Sequence, residues 1–435
     1  MIGGGNRHRL DVVLDDDPTG VQALSDVPVL LDWSLPRLRK AAAGGRPSIH
    51  LMTNARARSP GEARSVTLHA AAAARAAFPN CRLVLRGDST LRGHLGEEYR
   101  AVREAAYPER APVLLLVPAL PSAGRVTLDG IHWLITNGTR RALDETEYAE
   151  DGIFAYRSAR LLEWAEERTG GELPAAEGAE LGLERLRTEG AQAVCDAIIQ
   201  AGAAGGPAAC APDAETLDDL RLIADGLALA EQRDAEVLIR CAPTFAGVLS
   251  GTLADGMVEP PPLQDGGLLI VCGSYVSSTT RQLEHLRAQL GLEPIEPDLT
   301  ALASDHPHAE VSRIARRVDR MLAAGKPALL STPRTRPEGL LALDAGERIA
   351  YGLAAIVEAL RRVPAVVIAK GGITSHVVLQ EGLRALEGRI AGPVAAGVAL
   401  WEVESRGRPL SYLVFPGNVG GPSHLTHVVE LVTEA

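Results

Sequence analysis

Aromatic residues are scarce in this 435-residue chain, at 3% of the sequence. The hydrophobic core must therefore be built from Ala, Val, Leu and Ile. Hydrophobic residues still make up 46% of the chain, which is ordinary for a globular protein. A chain of this length exceeds what one core normally serves, so we expect two domains of roughly 200 residues each.

Cysteines are few and scattered along the chain. The five occur at positions 81, 195, 210, 241 and 272, without a Cys-x-x-Cys pair or a His/Cys cluster at metal-ligand spacing. This distribution argues against a disulfide framework and against a structural zinc site. It favours reduced thiols in a cytoplasmic protein.

Long apolar segments are missing as well. The longest runs, such as Val113–Val117 and Leu268–Cys272, have the length of strands, and the first ten residues are polar and glycine-rich. We therefore expect neither a membrane span nor a secretory signal, and we predict a cytoplasmic location.

Basic residues are fewer than acidic ones, 44 against 55, so the formal net charge is −11. A surface that binds nucleic acid normally needs a basic patch, so we expect no nucleic-acid partner. A small anionic ligand is compatible with this charge, because a few well-placed arginines reverse the field locally.

The sequence is rich in a repeated order of short apolar run, polar loop and helix-forming stretch. Such runs occupy residues 10–14, 49–53, 82–85, 113–117 and 237–240. Alternating strands and helices predict parallel sheets covered on both faces, with ligands bound beyond the carboxyl ends of the strands. We predict an α/β fold with two domains, each a mostly parallel sheet flanked by helices.

Three consecutive prolines at positions 260–262 mark the best candidate for a domain boundary. Prolines in series cannot continue a helix or a central strand. We predict an N-terminal domain at 1–255, a proline-rich linker at 256–267 and a C-terminal domain at 268–435.

The first candidate site follows the run at 10–14 and reads Asp-Asp-Asp-Pro-Thr-Gly from Asp15 to Gly20. Three adjacent carboxylates repel one another, so a metal, a cation, backbone N–H groups or a raised pKa must offset the cost. Asp16 and Asp17 are candidate catalytic carboxylates. The alternative is a solvated acidic turn that caps a helix.

A second polar loop follows the run at 82–85. In it, Arg86 and Arg92 could grip a carboxylate, while Asp88 and Ser89 could bind sugar hydroxyls. Ser89 could equally be a helix cap.

Two further residues could reach the same cleft. Arg125 follows the run at 113–117, and His132 lies just after Asp129-Gly130, where the sequence predicts a hairpin. Either residue could also be structural. The polar stretch 144–160 is typical of a loop that covers a site.

The C-terminal half carries three glycine- and hydroxyl-rich loops, at 273–280, 371–375 and 416–421. Each follows a strand-like run and precedes a predicted helix, an arrangement that offers backbone N–H groups to an anion. P-loop, protein-kinase and Rossmann signatures are absent. The candidate phosphate-binding residues are Ser274, Gly371, Gly372, Ile373, Thr374, Gly417 and Gly420.

Taken in order, these motifs resemble the four-carbon acid sugar kinase family, formerly known only as a domain of unknown function. Asp16–Gly20 matches the family's Asp-Asp-x-Thr-Gly, and Asp88–Gly93 matches its Asp-Ser-Thr-Leu-Arg-Gly. The later loops follow in the expected order. The chain departs from the family pattern at Asp15, where Ala is usual, at Arg86, where Lys is usual, and at Ile373, where an acidic residue is often found.

The resemblance implies that the N-terminal domain binds a small sugar acid and the C-terminal domain binds ATP. It implies phosphorylation of compounds such as threonate, erythronate or oxo-tetronates. It also implies that Asp17, Asp88 and Arg92 face the sugar acid. The residues that it assigns to ATP are Ser274, the Gly371–Thr374 loop and the Gly417 loop.

We therefore predict phosphoryl transfer from ATP to a hydroxyl of a small sugar acid. Asp17 is the expected base and Asp16 the second choice. Arg92, helped by Arg86, would hold the substrate carboxylate, and Mg²⁺ would bridge phosphate oxygens with few protein ligands.

The partner expected is thus a small molecule, and a homodimer is expected from the Ala/Leu-rich α/β character. Two other classes stay open on the residues alone. One is a non-catalytic sensor of a sugar acid and a nucleotide, and the other is a lyase or isomerase of sugar-acid phosphates.

Overall fold

The computed structural model of the protein describes residues 9–203, 205–263, 265–335 and 343–434. The strands are β1 (Asp11–Asp15), β2 (Val27–Leu30), β3 (Ser48–Met52), β4 (Arg82–Arg86), β5 (Val113–Val117), β6 (Arg125–Leu128), β7 (Ile131–Thr136), β8 (Thr139–Ala142), β9 (Ala179–Leu181), β10 (Ala209–Pro212), β11 (Val237–Cys241), β12 (Leu268–Cys272), β13 (Pro294–Ile295), β14 (Ala328–Ser331), β15 (Val366–Lys370), β16 (Glu387–Ala395), β17 (Val398–Ser405) and β18 (Arg408–Phe415). The α-helices are α1 (Leu35–Ala43), α2 (Pro60–Ala77), α3 (Leu95–Ala106), α4 (Leu161–Thr169), α5 (Leu183–Glu189), α6 (Ala191–Gly202), α7 (Leu217–Glu231), α8 (Pro243–Ser250), α9 (Ser277–Leu290), α10 (Leu299–Leu302), α11 (His308–Ala323), α12 (Leu343–Glu358), α13 (Gly372–Val377) and α14 (His424–Glu434).

The chain forms two compact units. The first comprises residues up to Gly20 together with Asp32–Leu253, and the second comprises Val21–Leu31 together with residues from Ala254 onward. Strand β2 belongs to the second unit because it pairs antiparallel with β16, with Leu30 opposite Glu387. The predicted domain at 1–255 is contiguous, whereas the structure places Val21–Leu31 in the second unit. The sequence did not show this because a four-residue strand does not reveal which sheet it joins.

The sheet of the first unit is parallel throughout, in the order β3-β1-β4-β11-β5-β10-β9. Its central strands are buried on both faces, which explains their unbroken apolar runs, such as Val12–Leu14 and Leu83–Leu85. The carboxyl ends of β1, β3, β4 and β11 therefore lie at one edge of this sheet.

A small antiparallel sheet, β6-β7-β8, carries the predicted hairpin. Asp129 and Gly130 have φ values of 55° and 74°, the left-handed pair that a two-residue hairpin of the I′ type requires. Strands β6 and β7 carry Arg125 and His132, so the hairpin fixes where both side chains point.

The second unit combines parallel and antiparallel pairing. Strands β13-β14-β12-β15-β18 are parallel, and β17, β16 and β2 extend the sheet in antiparallel fashion. The glycine loops follow β12, β15 and β18 and so share one edge. The predicted α/β class with mostly parallel sheets is confirmed, although the antiparallel strands at 387–405 were not predicted.

The cores rest mainly on aliphatic residues, as the shortage of aromatics requires. All five cysteines are buried and free, which agrees with the absence of a disulfide framework. Among the described residues, no helix combines the length and the apolar character that crossing a membrane requires.

The pairing of β2 yields a stability test. Leu30 is 1% exposed, so truncation in Leu30→Ala should leave a cavity and lower the free energy of unfolding by about 2–5 kcal/mol. Leu35 is 38% exposed, and Leu35→Ala should stay within about 0.5 kcal/mol. Urea unfolding followed by circular dichroism measures both, and equal effects in the two variants would contradict the placement of β2.

Candidate functional sites

Loops that follow four neighbouring strands are tied together by backbone hydrogen bonds in the first unit. The N–H groups of Thr53 and Asn54 donate to the Asp15 carbonyl oxygen at 3.0 and 3.2 Å, and the Gly87 N–H donates to the Cys241 carbonyl oxygen at 2.9 Å. The Asp16 N–H donates to the Arg86 carbonyl oxygen at 3.3 Å. The predicted acidic loop and the predicted Arg/Asp loop are thus immediate neighbours.

Arg86 organises the acidic loop from within. Its guanidinium pairs with Asp15, lies 3.0 Å from an Asp16 oxygen and donates to the Asp17 carbonyl oxygen. A Cβ at Gly20 would overlap it, so only glycine permits this packing. Arg86 is 1% exposed, so its predicted role as a carboxylate clamp for the substrate does not fit: the group is buried and already paired.

Asp15, at the end of β1, and Arg86, at the end of β4, contact each other as a buried ion pair. Asp15 also lies 3.0 Å from His50 Nδ1, whose pKa burial lowers to about 3, so this imidazole is neutral. The negative charge of Asp15 is therefore balanced by Arg86.

Asp16 is a buried carboxyl with no hydrogen bond to either oxygen from the described residues. Arg86 Nη1 lies within 3.0 Å but outside hydrogen-bond geometry, and Arg240 Nη2 is 3.9 Å away. Arg240 is itself paired with Glu98 at 2.8 Å. Burial raises the pKa of Asp16 to about 7, although Arg56 and Arg240 limit the rise.

Asp17 is the accessible carboxylate of the acidic loop, with a side chain 18% exposed where that of Asp16 is 1% exposed. One of its oxygens accepts the N–H and the hydroxyl of Thr19, both at 2.6 Å. Burial alone would raise its pKa, but Arg56 and the Thr19 hydrogen bonds hold the pKa below its ordinary value. Asp17 is therefore ionised at neutral pH.

Arg56 joins the two loops and was not predicted. It pairs with Asp17, and its Nη1 lies 3.5 Å from Asp88 Oδ1. It follows the apolar run at 49–53, so the rule that ligands bind after strand ends could have found it. No motif distinguished it from the neighbouring Arg58.

Asp88 and Arg92 form an ion pair in the second of these loops. Asp88 accepts from the Thr90 hydroxyl and from Arg92 Nε, the latter at 2.7 Å. Arg92 Nη1 also lies 3.6 Å from Asp151, and the Arg92 guanidinium sits 5.4 Å from the centre of the Tyr148 ring. The polar stretch at 144–160 thus contacts Arg92.

Ser89, Arg125 and His132 come together. Arg125 Nη1 donates to Ser89 Oγ at 3.2 Å, and His132 Nε2 lies 3.0 Å from the Ser89 carbonyl oxygen. A carbonyl can only accept, so His132 Nε2 carries the proton and Nδ1 accepts from the Thr127 hydroxyl. Burial lowers the pKa of His132 to about 4, so His132 is a neutral group that positions Ser89.

In the second unit the three glycine loops pack directly on one another. The hydroxyls of Ser278 and Thr279 donate to the Gly417 carbonyl oxygen at 3.0 and 3.1 Å. A Cβ at Gly417 would lie 2.8 Å from Ser274 Oγ, and one at Gly273 would overlap the Thr374 hydroxyl. Glycine is needed because no side chain fits between the loops.

The remaining predicted residues border these loops. Gly371 has a φ of 109°, which favours glycine, and its N–H donates to the Phe415 carbonyl oxygen at 2.8 Å. Gly372 begins α13, and Ile373 is 53% exposed. A Cβ at Gly420 would overlap the His424 ring, so Gly420 has a packing role.

Two cations lie beside the glycine loops without an ion pair to any described residue. Buried Lys370 donates to the Pro416 carbonyl oxygen at 3.1 Å, and burial lowers its pKa to about 8. Arg334, which was not predicted, donates to the carbonyl oxygens of Ser274 and Thr332, both at 2.7 Å. Such a site suits an anion. Across the described residues, no cluster of three His, Cys, Asp or Glu side chains could hold a metal ion.

Two known domain families match this chain. A sugar-binding N-terminal domain matches residues 12–249, and a nucleotide-binding C-terminal domain matches residues 269–425. The chain belongs to the four-carbon acid sugar kinase family. The resemblance that the motif order indicated is thereby confirmed.

Individual relatives agree with this membership. The chain is 29% identical over 261 residues to a D-threonate kinase of Salmonella typhimurium LT2, an alignment that covers 59% of this chain and 55% of that relative. The chain thus matches about half the length of this curated relative.

Two solved structures share the fold at 18% identity. One is a Salmonella typhimurium LT2 protein labelled a tRNA synthase, with a TM-score of 0.71 over 95% of this chain and 97% of that one. The other is a Haemophilus influenzae protein of a family of unknown function, with a TM-score of 0.65 over 96% and 99%.

The contact between Asp15 and Arg86 predicts coupled mutational effects. Asp15→Ala leaves a buried guanidinium with one carboxylate fewer and should cost about 3–5 kcal/mol of unfolding free energy. The double variant Asp15→Ala/Arg86→Lys should lose less unfolding free energy than the sum of the two single losses, by about 0.5–3 kcal/mol. Urea unfolding of the four proteins measures this coupling, and additive losses would show that the pair does not act as a unit.

The buried Asp16 carboxyl predicts a pH dependence. The folded protein keeps this proton up to about pH 7, whereas the unfolded chain releases it near the ordinary pKa of 3.8. The free energy of unfolding of the wild type, relative to Asp16→Asn, should therefore fall as the pH rises from about 4 to about 7. Asp218→Asn, at a side chain 84% exposed, is the control. A difference that stays flat or grows with pH would mean that Asp16 is ionised in the folded state.

Proposed function

We propose that the protein is an ATP-dependent kinase that phosphorylates a hydroxyl of a four-carbon sugar acid of the threonate, erythronate or oxo-tetronate type. The observation that carries the proposal is the accessible, ionised Asp17 carboxylate at the carboxyl end of β1, in the domain that matches a sugar-binding family. Membership in the family and the D-threonate kinase relative support the reaction type.

Asp17 is the proposed base. The acceptor hydroxyl hydrogen-bonds to a carboxylate oxygen of Asp17 and gives up its proton there as its oxygen bonds to the γ-phosphorus of ATP. The bond from that phosphorus to the bridging oxygen breaks, and ADP leaves with the electron pair. Because this transition state is loose, the base mainly orients the hydroxyl, so the low pKa of Asp17 is acceptable. Asp16 is too deeply buried for this role.

The nucleotide phosphates are proposed to bind at the glycine loops of the second unit. The start of α9 and the loop at Gly371 supply N–H groups, and Lys370 and Arg334 supply positive charge. Mg²⁺, when bound, would neutralise charge on the phosphate oxygens. We propose that water and phosphate supply most of its ligands, as is usual for this ion. The cytoplasmic location and the homodimer stay predictions.

The proposal is tested with purified protein, Mg-ATP and a panel of threonate, erythronate and oxo-tetronate isomers, with ADP release as the readout. Release that depends on one sugar acid is expected and would name the substrate. ATP binding without release for any acid would favour the sensor. Turnover of a sugar-acid phosphate without ATP would favour the lyase or isomerase, and absence of ATP binding would contradict the kinase.

The role of Asp17 predicts the effect of Asp17→Asn, which keeps the shape of the side chain and removes the proton acceptor. Turnover should fall by about 10²- to 10⁴-fold in a variant that still folds, which thermal unfolding verifies. Asp218→Asn, at an exposed position, should leave turnover unchanged. Near-normal turnover of Asp17→Asn would remove Asp17 from the reaction.

A further inference from the structure

The arginines at the ligand edge of the first unit differ in how their charge is balanced. Four of them have a carboxylate within 4 Å. The balanced arginines and their partners are Arg56 with Asp17 and Asp88, Arg86 with Asp15 and Asp16, Arg92 with Asp88 and Asp151, and Arg240 with Glu98. Arg125 has no carboxylate partner among the described residues.

The surroundings of Arg125 are neutral. Its Nη1 donates to the Ser89 hydroxyl, and the centre of the Tyr148 ring lies 5.9 Å from its guanidinium carbon. Its Nε is buried and has no hydrogen-bond partner in the described part of the chain. A guanidinium that is partly removed from water and lacks a counter-charge is a strong site for an anion of matching shape.

We infer that Arg125, together with Ser89, binds the carboxylate of the sugar acid. This inference rests on the proposed function and deepens it by assigning the group that recognises the acid. A carboxylate can accept two parallel N–H bonds from a guanidinium. The Ser89 hydroxyl, which accepts from Arg125, has its own proton free to donate to the same carboxylate.

His132 fixes the position of the Ser89 backbone through a hydrogen bond to its carbonyl oxygen. Its neutral imidazole donates to the Ser89 carbonyl oxygen and is itself oriented by Thr127. A protonated His132 would add a second charge beside Arg125, but burial keeps it neutral. His132 is thus a positioning residue, and the positive charge offered to the substrate is that of Arg125.

Arg92 is less suited to the carboxylate role that the sequence suggested. It donates to Asp88 at 2.7 Å and has Asp151 at 3.6 Å, so an incoming carboxylate would meet two negative charges. Its contacts instead orient Asp88, which leaves Asp88 free to accept from substrate hydroxyls.

The consequence is a specificity rule. Loss of the Arg125 charge should weaken binding of the acid while leaving binding of a neutral analogue, such as the corresponding amide, nearly unchanged. A loss of 30-fold or more in acid binding is expected, roughly what removing one partner of a desolvated charge pair costs. The preference for acid over amide should shrink by the same factor.

The experiment compares wild type, Arg125→Gln and Arg125→Lys in binding D- and L-threonate, D- and L-erythronate and their amides by isothermal titration calorimetry without ATP. Arg141→Gln, on the neighbouring strand β8 with a side chain 50% exposed, is the matched control. Thermal unfolding verifies that each variant is folded. Arg125→Lys keeps the charge but not the bidentate geometry, so its acid affinity should lie between those of the other two.

Selective loss of acid binding in Arg125→Gln supports the inference, including when no acid supports ADP release, in which case only the proposed transfer reaction fails. Equal loss of acid and amide binding would overturn it, because that is the mark of a structural role. Unchanged acid binding in a folded Arg125→Gln would also overturn it. Failure of the wild type to bind any of these acids would overturn both the inference and the substrate class.

Discussion

The ion pair of buried Arg86 with Asp15 at the end of β1 is the constraint on which the ligand edge of the first unit depends. Three consecutive aspartates at a strand end would repel one another, and a buried cation offsets that cost. Because Arg86 pairs with Asp15 and lies against the buried Asp16, the loop turns tightly at Gly20 and only Asp17 keeps an accessible carboxylate. The packing of Arg86 thus stabilises the acidic loop and also leaves Asp17 as the aspartate of this loop that a ligand can reach.

Many strands and the hairpin could be predicted, because they follow from local sequence patterns. Continuous apolar runs predicted the buried parallel strands, and Asp129-Gly130 predicted the hairpin through its left-handed backbone. The membership of Val21–Leu31 in the second unit could not be predicted, because β2 is a short apolar run like the strands of the first unit. Its partner β16 lies more than 350 residues away along the chain, as the pair Val27 and Ile390 shows. Strand partners depend on packing rather than on local sequence.

In the candidate site, too, positions after strands could be predicted, whereas contacts between distant segments could not. Asp17 and Asp88 were each predicted from their position after a strand, and the family resemblance assigned both to one ligand. The structure shows that β1 and β4 are neighbours in the sheet. The sequence could not show which arginine would be buried against the acidic loop and which would lack a carboxylate. Those roles, held by Arg86 and Arg125, depend on side chains brought together from distant segments. Arg56 follows a strand like the predicted residues, but nothing local distinguished it from Arg58.

We propose that the sugar acid binds to the first unit and the nucleotide phosphates bind to the second. A crystal structure with a four-carbon sugar acid and a non-hydrolysable ATP analogue tests this assignment most directly. We expect the acid beside Asp17, Asp88 and Arg125, and the phosphates at the loops that contain Ser274 and Gly371. Phosphates bound at the acidic loop, or an acid bound away from Asp17, would contradict the account.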